Sequence, residues 1–183
     1  MQRVSVVGTT GSGKTTLARA LAAALGCPHI ELDALFWGPK WSMAELPVFR
    51  SRVASVVAGD AWVIDGGYSD VRDLVWARAD TVVWLDYPLA VTLSRLVRRI
   101  LARIRDGTEL WPGTGNRETI RNAVFARDPL VWFAIRTHRG RRRRIAAMLA
   151  RPEYAHLRSH RFTHPADAER WLQAQRALPA PRI

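Results

Sequence analysis

An eight-residue stretch near the amino terminus constrains this chain more than any other feature. Residues Gly8 to Thr15 read GTTGSGKT, which matches the pattern G-x-x-x-x-G-K-[ST] at every fixed position. An apolar run, Arg3 to Val7, precedes the stretch, and a helix-forming run rich in alanine and leucine, Thr15 to Leu25, follows it. Between a buried strand and a helix N-terminus, such a loop presents backbone N–H groups to phosphate. The stretch therefore predicts a polyphosphate-binding loop.

Each residue type in this loop has its own expected task. Glycines let the backbone approach phosphates without a Cβ clash. Lys14 is expected to reach the β and γ oxygens of ATP and to stabilise charge during transfer, and the Thr15 hydroxyl is an expected ligand of Mg²⁺. We therefore predict ATP and magnesium as ligands, bound by Gly8, Thr9, Thr10, Gly11, Ser12, Gly13, Lys14, Thr15 and Thr16.

Beyond the loop, short apolar runs alternate with helix-forming segments. Further strands are predicted at His29–Leu32, Trp62–Ile64, Thr81–Leu85 and His156–Phe162. Further helices are predicted at Pro47–Ala58, Leu89–Arg105, Arg117–Ala126, from Asp128-Pro129 to Ala150, and at Pro165–Ala177. Parallel strands joined by helices need both faces covered. The sequence predicts an α/β fold: a three-layer P-loop NTPase fold with a five-stranded parallel sheet, helices on both faces and a small lid.

The length of 183 residues suits one domain with a full hydrophobic core. Within it we predict an acceptor-binding segment at about residues 32–58 and a lid at about 98–118. The lid would contain the one long loop, Asp106 to Asn116, which holds three glycines and a proline. The tail from Leu178 is predicted to be loose.

Three aspartates follow predicted strands, at the sheet edge where ligands of such folds bind. Asp65 and Asp86 are both candidate magnesium ligands, and the Asp-Gly sequence after the third strand favours Asp65. Asp33 is a candidate to accept the proton of an acceptor hydroxyl, or alternatively to cap the following helix. Phe36, Trp37, Trp41 and Tyr68 either form a stacking wall for a flat acceptor or pack in the core.

Arginines account for 26 of the 28 basic residues, the only lysines being Lys14 and Lys40, and the formal net charge is +12. On the helix Leu89–Arg105, arginines lie opposite the apolar face and lead into the lid loop. They are either a solvated face or a set that closes over phosphate; we favour Arg99 and Arg103 as catalytic residues, with Arg117 and Arg121 as partners.

The arginine cluster at residues 139–144 has two interpretations. It would bind nucleic acid, or it is the exposed side of a helix whose buried side holds Ile145, Met148 and Leu149, which we favour. Cys27 is the only cysteine, so no internal disulfide is expected, and no secretory pattern precedes the first strand. No apolar run is long enough to span a bilayer, so the expected location is cytoplasmic.

With these residues placed, the chain resembles the FlaR-like topology modulation proteins, a bacterial branch of the adenylate-kinase-like P-loop kinases. The resemblance implies a five-stranded sheet in kinase order, a mobile lid and ATP as donor. The Asp-Gly-Gly-Tyr sequence departs from the Asp-Gly-Phe-Pro-Arg of true adenylate kinases, which puts AMP as acceptor in doubt. The resemblance rests on four features: Gly8–Thr15, Leu32–Trp37 with Pro39 and Trp41, Trp62–Tyr68, and the arginine-rich helix after Leu85–Pro88.

The sequence thus predicts an ATP-dependent small-molecule kinase acting on a nucleotide, a nucleoside or another hydroxyl compound. The alternative is a nucleotide-dependent regulator or nucleic-acid-binding protein without turnover. A GTP switch is disfavoured because the chain has no Asn-Lys-x-Asp and no Asp-x-x-Gly switch motif. A large mechanical ATPase is disfavoured because the chain has no room for an extra helical domain.

Overall fold

A parallel sheet of five strands organises the protein, whose structure is a computed structural model that describes residues 1–119 and 130–177. The sheet order is β2-β3-β1-β4-β7, and every pairing in it is parallel. The chain thus has the predicted three-layer α/β P-loop fold. The strands are β1 (Arg3–Gly8), β2 (His29–Glu31), β3 (Trp62–Asp65), β4 (Thr81–Leu85), β5 (Glu109–Leu110), β6 (Asn116–Arg117) and β7 (Arg158–Phe162).

Helices cover both faces of the sheet. The ends of two of them are set by glycine: the helices after β1 and after β4 stop at Gly26 and Gly107, both left-handed. In the part of the chain that the structure describes, no helix is both long and apolar enough to span a membrane. The α-helices are α1 (Lys14–Leu25), α2 (Leu32–Phe36), α3 (Leu46–Val57), α4 (Arg72–Arg78), α5 (Leu89–Asp106), α6 (Leu130–Leu149) and α7 (Pro165–Ala177).

Alternation along the strands divides the core into two layers. Val4 and Val6 of β1 pack on one side with α1 and α7, whereas Val7 packs on the other side with α3, α4 and α6. The second layer contains two fully buried tryptophans, Trp62 and Trp76. Burying a large apolar side chain contributes roughly 1.5–3 kcal/mol, so these layers fix the sheet edge on which the site is built.

Two elements differ from the sequence prediction near that edge. Strand β2 ends at Glu31, one residue early, and Asp33 lies in the first turn of α2 instead of in a loop. This start of α2 packs closely on the turn after β3, because a Cβ on Gly66 would lie 2.7 Å from the Cβ of Leu32. Helix α4 was not predicted, since its seven residues are too few to show a helical period.

The predicted lid loop contains a β-hairpin. Strands β5 and β6 pair antiparallel, with Glu109 opposite Arg117 and Leu110 opposite Asn116. The helix predicted at Arg117–Ala126 is therefore wrong at its start, because Arg117 is in a strand. Residues 120–126, the predicted Asp128-Pro129 cap and the tail from Leu178 lie outside the described residues.

Candidate nucleotide and acceptor site

The glycine-rich loop connects the carboxyl end of β1 to the start of α1. No side chain caps α1, so the N–H groups of its first turn are open to a ligand. Gly11 has a φ of 84°, and a Cβ there would lie 2.2 Å from the Thr92 carbonyl oxygen, so only glycine fits. The Ser12 hydroxyl is buried without a hydrogen-bond partner among the described residues. The loop has the shape and the open donors of a phosphate cradle.

Lys14 lies at the mouth of this cradle. Its ammonium donates a hydrogen bond to the Thr9 carbonyl oxygen at 3.0 Å. Burial, and then the charge of Arg141, lower the pKa of Lys14 to about 8, although Asp33 and Asp65 act in the opposite direction. An anion bound in the cradle would favour the charged form of this lysine.

Asp65, at the end of β3, lies directly against α1. The Thr15 hydroxyl donates to Asp65 Oδ2 at 2.5 Å, and His29 Nε2 lies 3.3 Å from Asp65 Oδ1. The strand register explains the contact between Thr15 and Asp65, because β1 and β3 are parallel and Val6 is opposite Asp65. Within the described residues no group of three metal-ligating side chains occurs. A hydroxyl and one carboxylate suit Mg²⁺, which takes few protein ligands and completes its shell with water and phosphate oxygens.

Asp86, the other candidate magnesium ligand, is held in ion pairs outside the cleft. Arg161 donates to Asp86 Oδ2 from Nε at 2.9 Å and from Nη2 at 2.5 Å, and Arg142 Nε lies 3.1 Å from the same oxygen. Its side chain is almost fully buried and does not line the cavity above the cradle. The structure thus brings Asp65 to Thr15 and places Asp86 in a separate ionic contact.

A cleft of about 1350 Å³ extends from the cradle to α2. Asp33 lies on its far side, where the Tyr68 hydroxyl donates to Asp33 Oδ1 at 2.6 Å. Burial, followed by the charge of Asp33, raises the pKa of Tyr68, which therefore stays protonated as a donor. One Asp33 oxygen is thereby oriented, and the other remains able to accept a proton from a ligand hydroxyl.

Aromatic side chains line the cleft beside Asp33. Phe36 is anchored against the buried Phe49, with ring centroids 5.1 Å apart, and it also contacts Trp37 and Tyr68. From there Trp37 and Trp41 continue the row at a spacing of 5.8 Å. The four predicted aromatics all line the cleft, and two of them, Phe36 and Tyr68, also pack against the core, so the two roles left open by the sequence are combined in those two.

Helix α5 brings three arginines into the cleft, Arg95, Arg99 and Arg103, which are spaced four residues apart. The Arg99 Nε is buried and has no hydrogen-bond partner among the described residues. Burial, then the charge of Arg103, lowers the pKa of Arg99. Arg103 is engaged differently, since its Nη1 donates to Glu118 Oε1 at 3.0 Å. Arg99 is thus the predicted arginine with an open guanidinium edge, whereas Arg103 fastens the chain after β6 to α5.

Of the two predicted partners from the far side of the lid, Arg117 does not face the cleft. Arg117 is exposed on β6, where its Nη1 lies near Gly107, and it does not line the cavity. Arg121 lies outside the described residues.

Arg141 is a cleft residue that the sequence analysis assigned to an exposed surface. Its Nη1 lies 3.5 Å from the Gly8 carbonyl oxygen, and a Cβ on Gly67 would be 3.7 Å away from it. The signal was present in the spacing, because Arg141 lies three residues after His138 and four before Ile145, which are both buried. It therefore belongs to the inward stripe of α6, not to the solvated one.

The hairpin of β5 and β6 is docked on the acceptor-binding segment. Asn116, only 1% exposed, accepts from the Trp41 backbone N–H at 2.8 Å and donates to the Gly38 carbonyl oxygen at 2.9 Å. The rings of Trp41 and Trp111 meet edge to face at 5.9 Å. Among the described residues, the non-glycine positions with positive φ are Lys40, Trp41 and Trp111, all at this contact. Strained backbone at a contact between two segments is typical of functional closures.

Comparisons with known proteins agree with this fold. The family profile "ATPase family associated with various cellular activities (AAA)" matches residues 4–87, which is less than half of the chain. Those residues comprise the cradle and strands β1 to β4. A comparison with characterised protein sequences gives no significant match.

Solved structures of P-loop kinases superimpose along almost the whole chain. Shikimate kinase from Bacteroides thetaiotaomicron is 21% identical, with a TM-score of 0.52, covering 94% of this chain and 95% of that one. Shikimate kinase from Acinetobacter baumannii, in complex with shikimate, is 20% identical with a TM-score of 0.50, covering 95% and 90%. A gluconokinase from Sinorhizobium meliloti 1021 is 19% identical with a TM-score of 0.50, covering 96% and 91%.

Fold and cradle together define the class of this protein. It has a P-loop NTPase fold, and that fold is shared with kinases of small molecules. At these levels of identity the likeness concerns the fold, so activity has to be argued from the side chains in the cleft.

Proposed function

We propose that this chain is an ATP-dependent small-molecule kinase that transfers the γ-phosphoryl group to a hydroxyl of its acceptor. One observation carries the proposal: a single cleft joins the P-loop, with its Thr15–Asp65 contact, to the Asp33–Tyr68 pair. A donor site alone would suit any nucleotide-dependent protein. A second, oriented carboxylate across the same cavity is what a hydroxyl acceptor requires.

On the donor side, the open N–H groups of the loop and Lys14 would bind the phosphates of ATP. Thr15 and Asp65 are the residues that would hold Mg²⁺, with His29 orienting the Asp65 carboxylate. When bound, the metal neutralises charge on the phosphates. Arg99 would stabilise the charge on the transferring oxygens, because its guanidinium faces the cleft without a described partner.

On the acceptor side, Asp33 would accept the proton of the attacking hydroxyl, and Tyr68 keeps its carboxylate in place. The bond that forms joins the acceptor oxygen to the γ-phosphorus, and the bond that breaks releases ADP. Arg103 acts indirectly through its ion pair with Glu118, which keeps the hairpin over the cleft. Shutting water out of such a cleft protects the phosphoryl group from hydrolysis.

The proposed acceptor is a small hydroxyl compound. The solved structures with the same fold are kinases named for shikimate, gluconate and sugars, so a nucleotide or nucleoside acceptor, expected from the sequence, is not favoured. Membership of the FlaR-like branch of adenylate-kinase-like proteins remains part of the proposal, supported by the motifs that carry the resemblance. A nucleic-acid-binding regulator is not favoured either, because Arg141 and Arg144 line the cleft and Arg142 pairs with Asp86.

The two lysines of the chain offer a matched test. We expect Lys14→Gln to reduce binding of Mg·ATP by at least about 100-fold, since Lys14 lies at the cradle and its loss removes several charge-assisted contacts. Lys40→Gln removes the same charge from an exposed site and should leave nucleotide binding unchanged. Calorimetry measures the binding, and labelled ATP with a panel of hydroxyl compounds measures transfer. Equal transfer by both variants would refute the proposal.

A further inference from the structure

Three arginines that the proposed mechanism does not use lie together on the acceptor side of the cleft. Arg72 begins α4, just after the Tyr68 turn, whereas Arg141 and Arg144 lie on α6, and all three line the cavity. None of the three forms an ion pair with a carboxylate within residues 1–119 and 130–177. We call Arg72, Arg141 and Arg144 the arginine triad.

Two members of the triad stack on aromatic rings. The guanidinium of Arg72 lies over the Trp76 ring, 5.5 Å from its centroid, and that of Arg141 over the Phe133 ring at 5.8 Å. Such stacking leaves the N–H edges of a guanidinium free, and those edges suit bidentate contacts to carboxylate or phosphate oxygens. Apart from the hydrogen bond that Arg141 Nη1 donates to the Gly8 carbonyl oxygen at 3.5 Å, the described residues give these guanidinium groups no oxygen acceptor.

Electrostatics point in the same direction. Burial lowers the pKa of Arg141, and the charge of Arg144 lowers it further, against the charge of Asp33. Burial also lowers the pKa of Arg72. Tyr154 raises that pKa, whereas the charge of Arg144 lowers it further. A guanidinium remains charged at neutral pH, so the three positive charges repel one another until an anion binds between them. An unliganded cleft with this arrangement is costly, and a bound anion would relieve that cost.

The triad lies beside the hydroxyl site, although Arg141 also reaches the cradle, where its Nη1 donates to the Gly8 carbonyl oxygen at 3.5 Å. On the donor side, Arg95 lies over Tyr87, and its Nη1 is 3.5 Å from where a Cβ of Gly13 would be. Arg141 instead reaches the turn after β3, beside Gly67, on the side where Tyr68 binds Asp33. Asp33 is the carboxylate whose charge acts on Arg141. The triad thus borders the hydroxyl site, not the end of the cleft marked by Arg95.

We propose that the arginine triad is an anion subsite for the acceptor, so that the acceptor carries a carboxylate or phosphate group in addition to the hydroxyl that faces Asp33. This inference rests on the proposed function. It narrows the acceptor from any hydroxyl compound to a hydroxylated acid or a phosphorylated alcohol. Neutral sugars and polyols are excluded as preferred acceptors.

The subsite can be tested without turnover. The chain is saturated with Mg²⁺ and the β,γ-imido analogue of ATP, so that the cradle is filled, and is then titrated calorimetrically with sulfate or acetate at constant ionic strength. Wild type should bind one anion, and Arg141→Gln should weaken it by about 10- to 100-fold, as loss of a charge-assisted contact predicts. Arg144→Gln, at an exposed position that tolerates substitution, should weaken it about 10-fold by the same argument.

Arg143→Gln is the matched control, since Arg143 is exposed on the same helix and does not line the cleft. It should change anion binding less than about twofold, as expected for a screened surface charge. Absence of saturable anion binding, or equal loss in Arg143→Gln and Arg141→Gln, would overturn the inference. Repeating the titration without nucleotide keeps the result informative if the chain binds no ATP analogue.

Paired acceptors then distinguish the two anion chemistries. Glycerate and glycerol 3-phosphate, each compared with glycerol, and gluconate compared with glucose, are offered with labelled ATP. Transfer that prefers the charged member of a pair, and loses that preference in Arg141→Gln, supports the subsite and identifies carboxylate or phosphate. Efficient transfer to neutral members only would refute the subsite while leaving the kinase proposal intact. Failure to bind Mg·ATP would refute the kinase proposal, and with it the acceptor role of the subsite, even if the triad bound anions.

Discussion

The proposed donor and acceptor halves of the cleft differ in what they are made of. The donor half uses backbone: a glycine-rich turn and the N-terminus of α1, with Lys14 and the Thr15–Asp65 contact added to it. The acceptor half uses side chains that arrive from separate segments, with Asp33 on α2 and Arg141 on α6. Backbone donors give every P-loop protein the same specificity for phosphate, whereas side chains can be exchanged one at a time. If the proposed function holds, the acceptor half is where the specificity of this chain is encoded.

This difference predicts separable effects. Substitutions in the acceptor half should change turnover and acceptor affinity while Mg·ATP binding is preserved. Substitutions in the donor half should change nucleotide binding first. A substitution in one half that alters the other would show that the two halves are coupled.

The largest effect confined to the acceptor half is expected for Asp33→Asn. Loss of a general base lowers kcat by about 10²–10⁴-fold, and the amide retains the shape and the contact with Tyr68. Calorimetric affinity for Mg·ATP should stay within about twofold, because Asp33 lies across the cleft from the cradle. Tyr68→Phe removes only the orienting bond and should cost about 10-fold in kcat, the value of one hydrogen bond. Normal kcat in Asp33→Asn would mean that the base is elsewhere.

The same difference explains which parts of the site could be predicted from sequence. Gly8–Thr15 is contiguous, so its spacing alone predicts a cradle, and the structure has that shape. Arg141 reaches the cleft, and Asn116 reaches the acceptor-binding segment, only because α6 and the hairpin fold back onto distant segments. Helical spacing relative to His138 and Ile145 marked Arg141 as inward, but no local pattern marks Asn116. Contacts between segments far apart in sequence depend on tertiary packing, which local motifs do not contain.

Substitutions of Asp65 and Asp86, which are similarly buried, should have clearly different effects on magnesium binding. Both effects are expected to be smaller than that of Asp33→Asn. Asp65→Asn should weaken the affinity of the nucleotide complex for Mg²⁺ by about 100-fold. This is the upper end of the range for residues that orient the ligands of a metal. The measurement is the rise in melting temperature that Mg²⁺ produces in the presence of nucleotide. Asp86→Asn should leave that rise unchanged.

Asp86→Asn should instead lower the free energy of unfolding by roughly 1–3 kcal/mol, because Arg161 and Arg142 lose their partner. Chemical denaturation measures it. If Asp86→Asn abolished the magnesium effect and Asp65→Asn did not, the metal assignment would be reversed.

The pH dependence of nucleotide affinity tests the donor half. The pKa of Lys14 is lowered to about 8 by burial, and a bound triphosphate favours the charged form and raises it. Affinity should therefore be constant below that pKa and fall above it, by a factor approaching tenfold per pH unit. Without nucleotide the sign for stability is opposite: the cost of burying the charged lysine is full below the folded pKa and declines as the pH rises towards the usual lysine value.

Calorimetry at about pH 8.5 in buffers of different ionisation enthalpy should show proton uptake on binding. Lys14→Arg is the control, since a guanidinium does not titrate in this range. A pH-independent affinity in wild type would show that Lys14 is already fully charged in the free protein.

The smallest effect is expected at the contact between the hairpin and the acceptor segment. Asn116→Ala removes two buried hydrogen bonds, one donated by the Trp41 N–H and one donated to the Gly38 carbonyl oxygen, and should destabilise this contact by about 1–3 kcal/mol. Hydrogen exchange of the Trp41 amide should accelerate accordingly, while nucleotide binding stays normal. Asn116→Asp keeps the acceptor for Trp41 but loses the donor, so the Trp41 amide should remain more protected than in Asn116→Ala. Equal exchange in all three proteins would mean that the tryptophan contact alone holds the hairpin, and weakened Mg·ATP binding would mean that the two halves close as one unit.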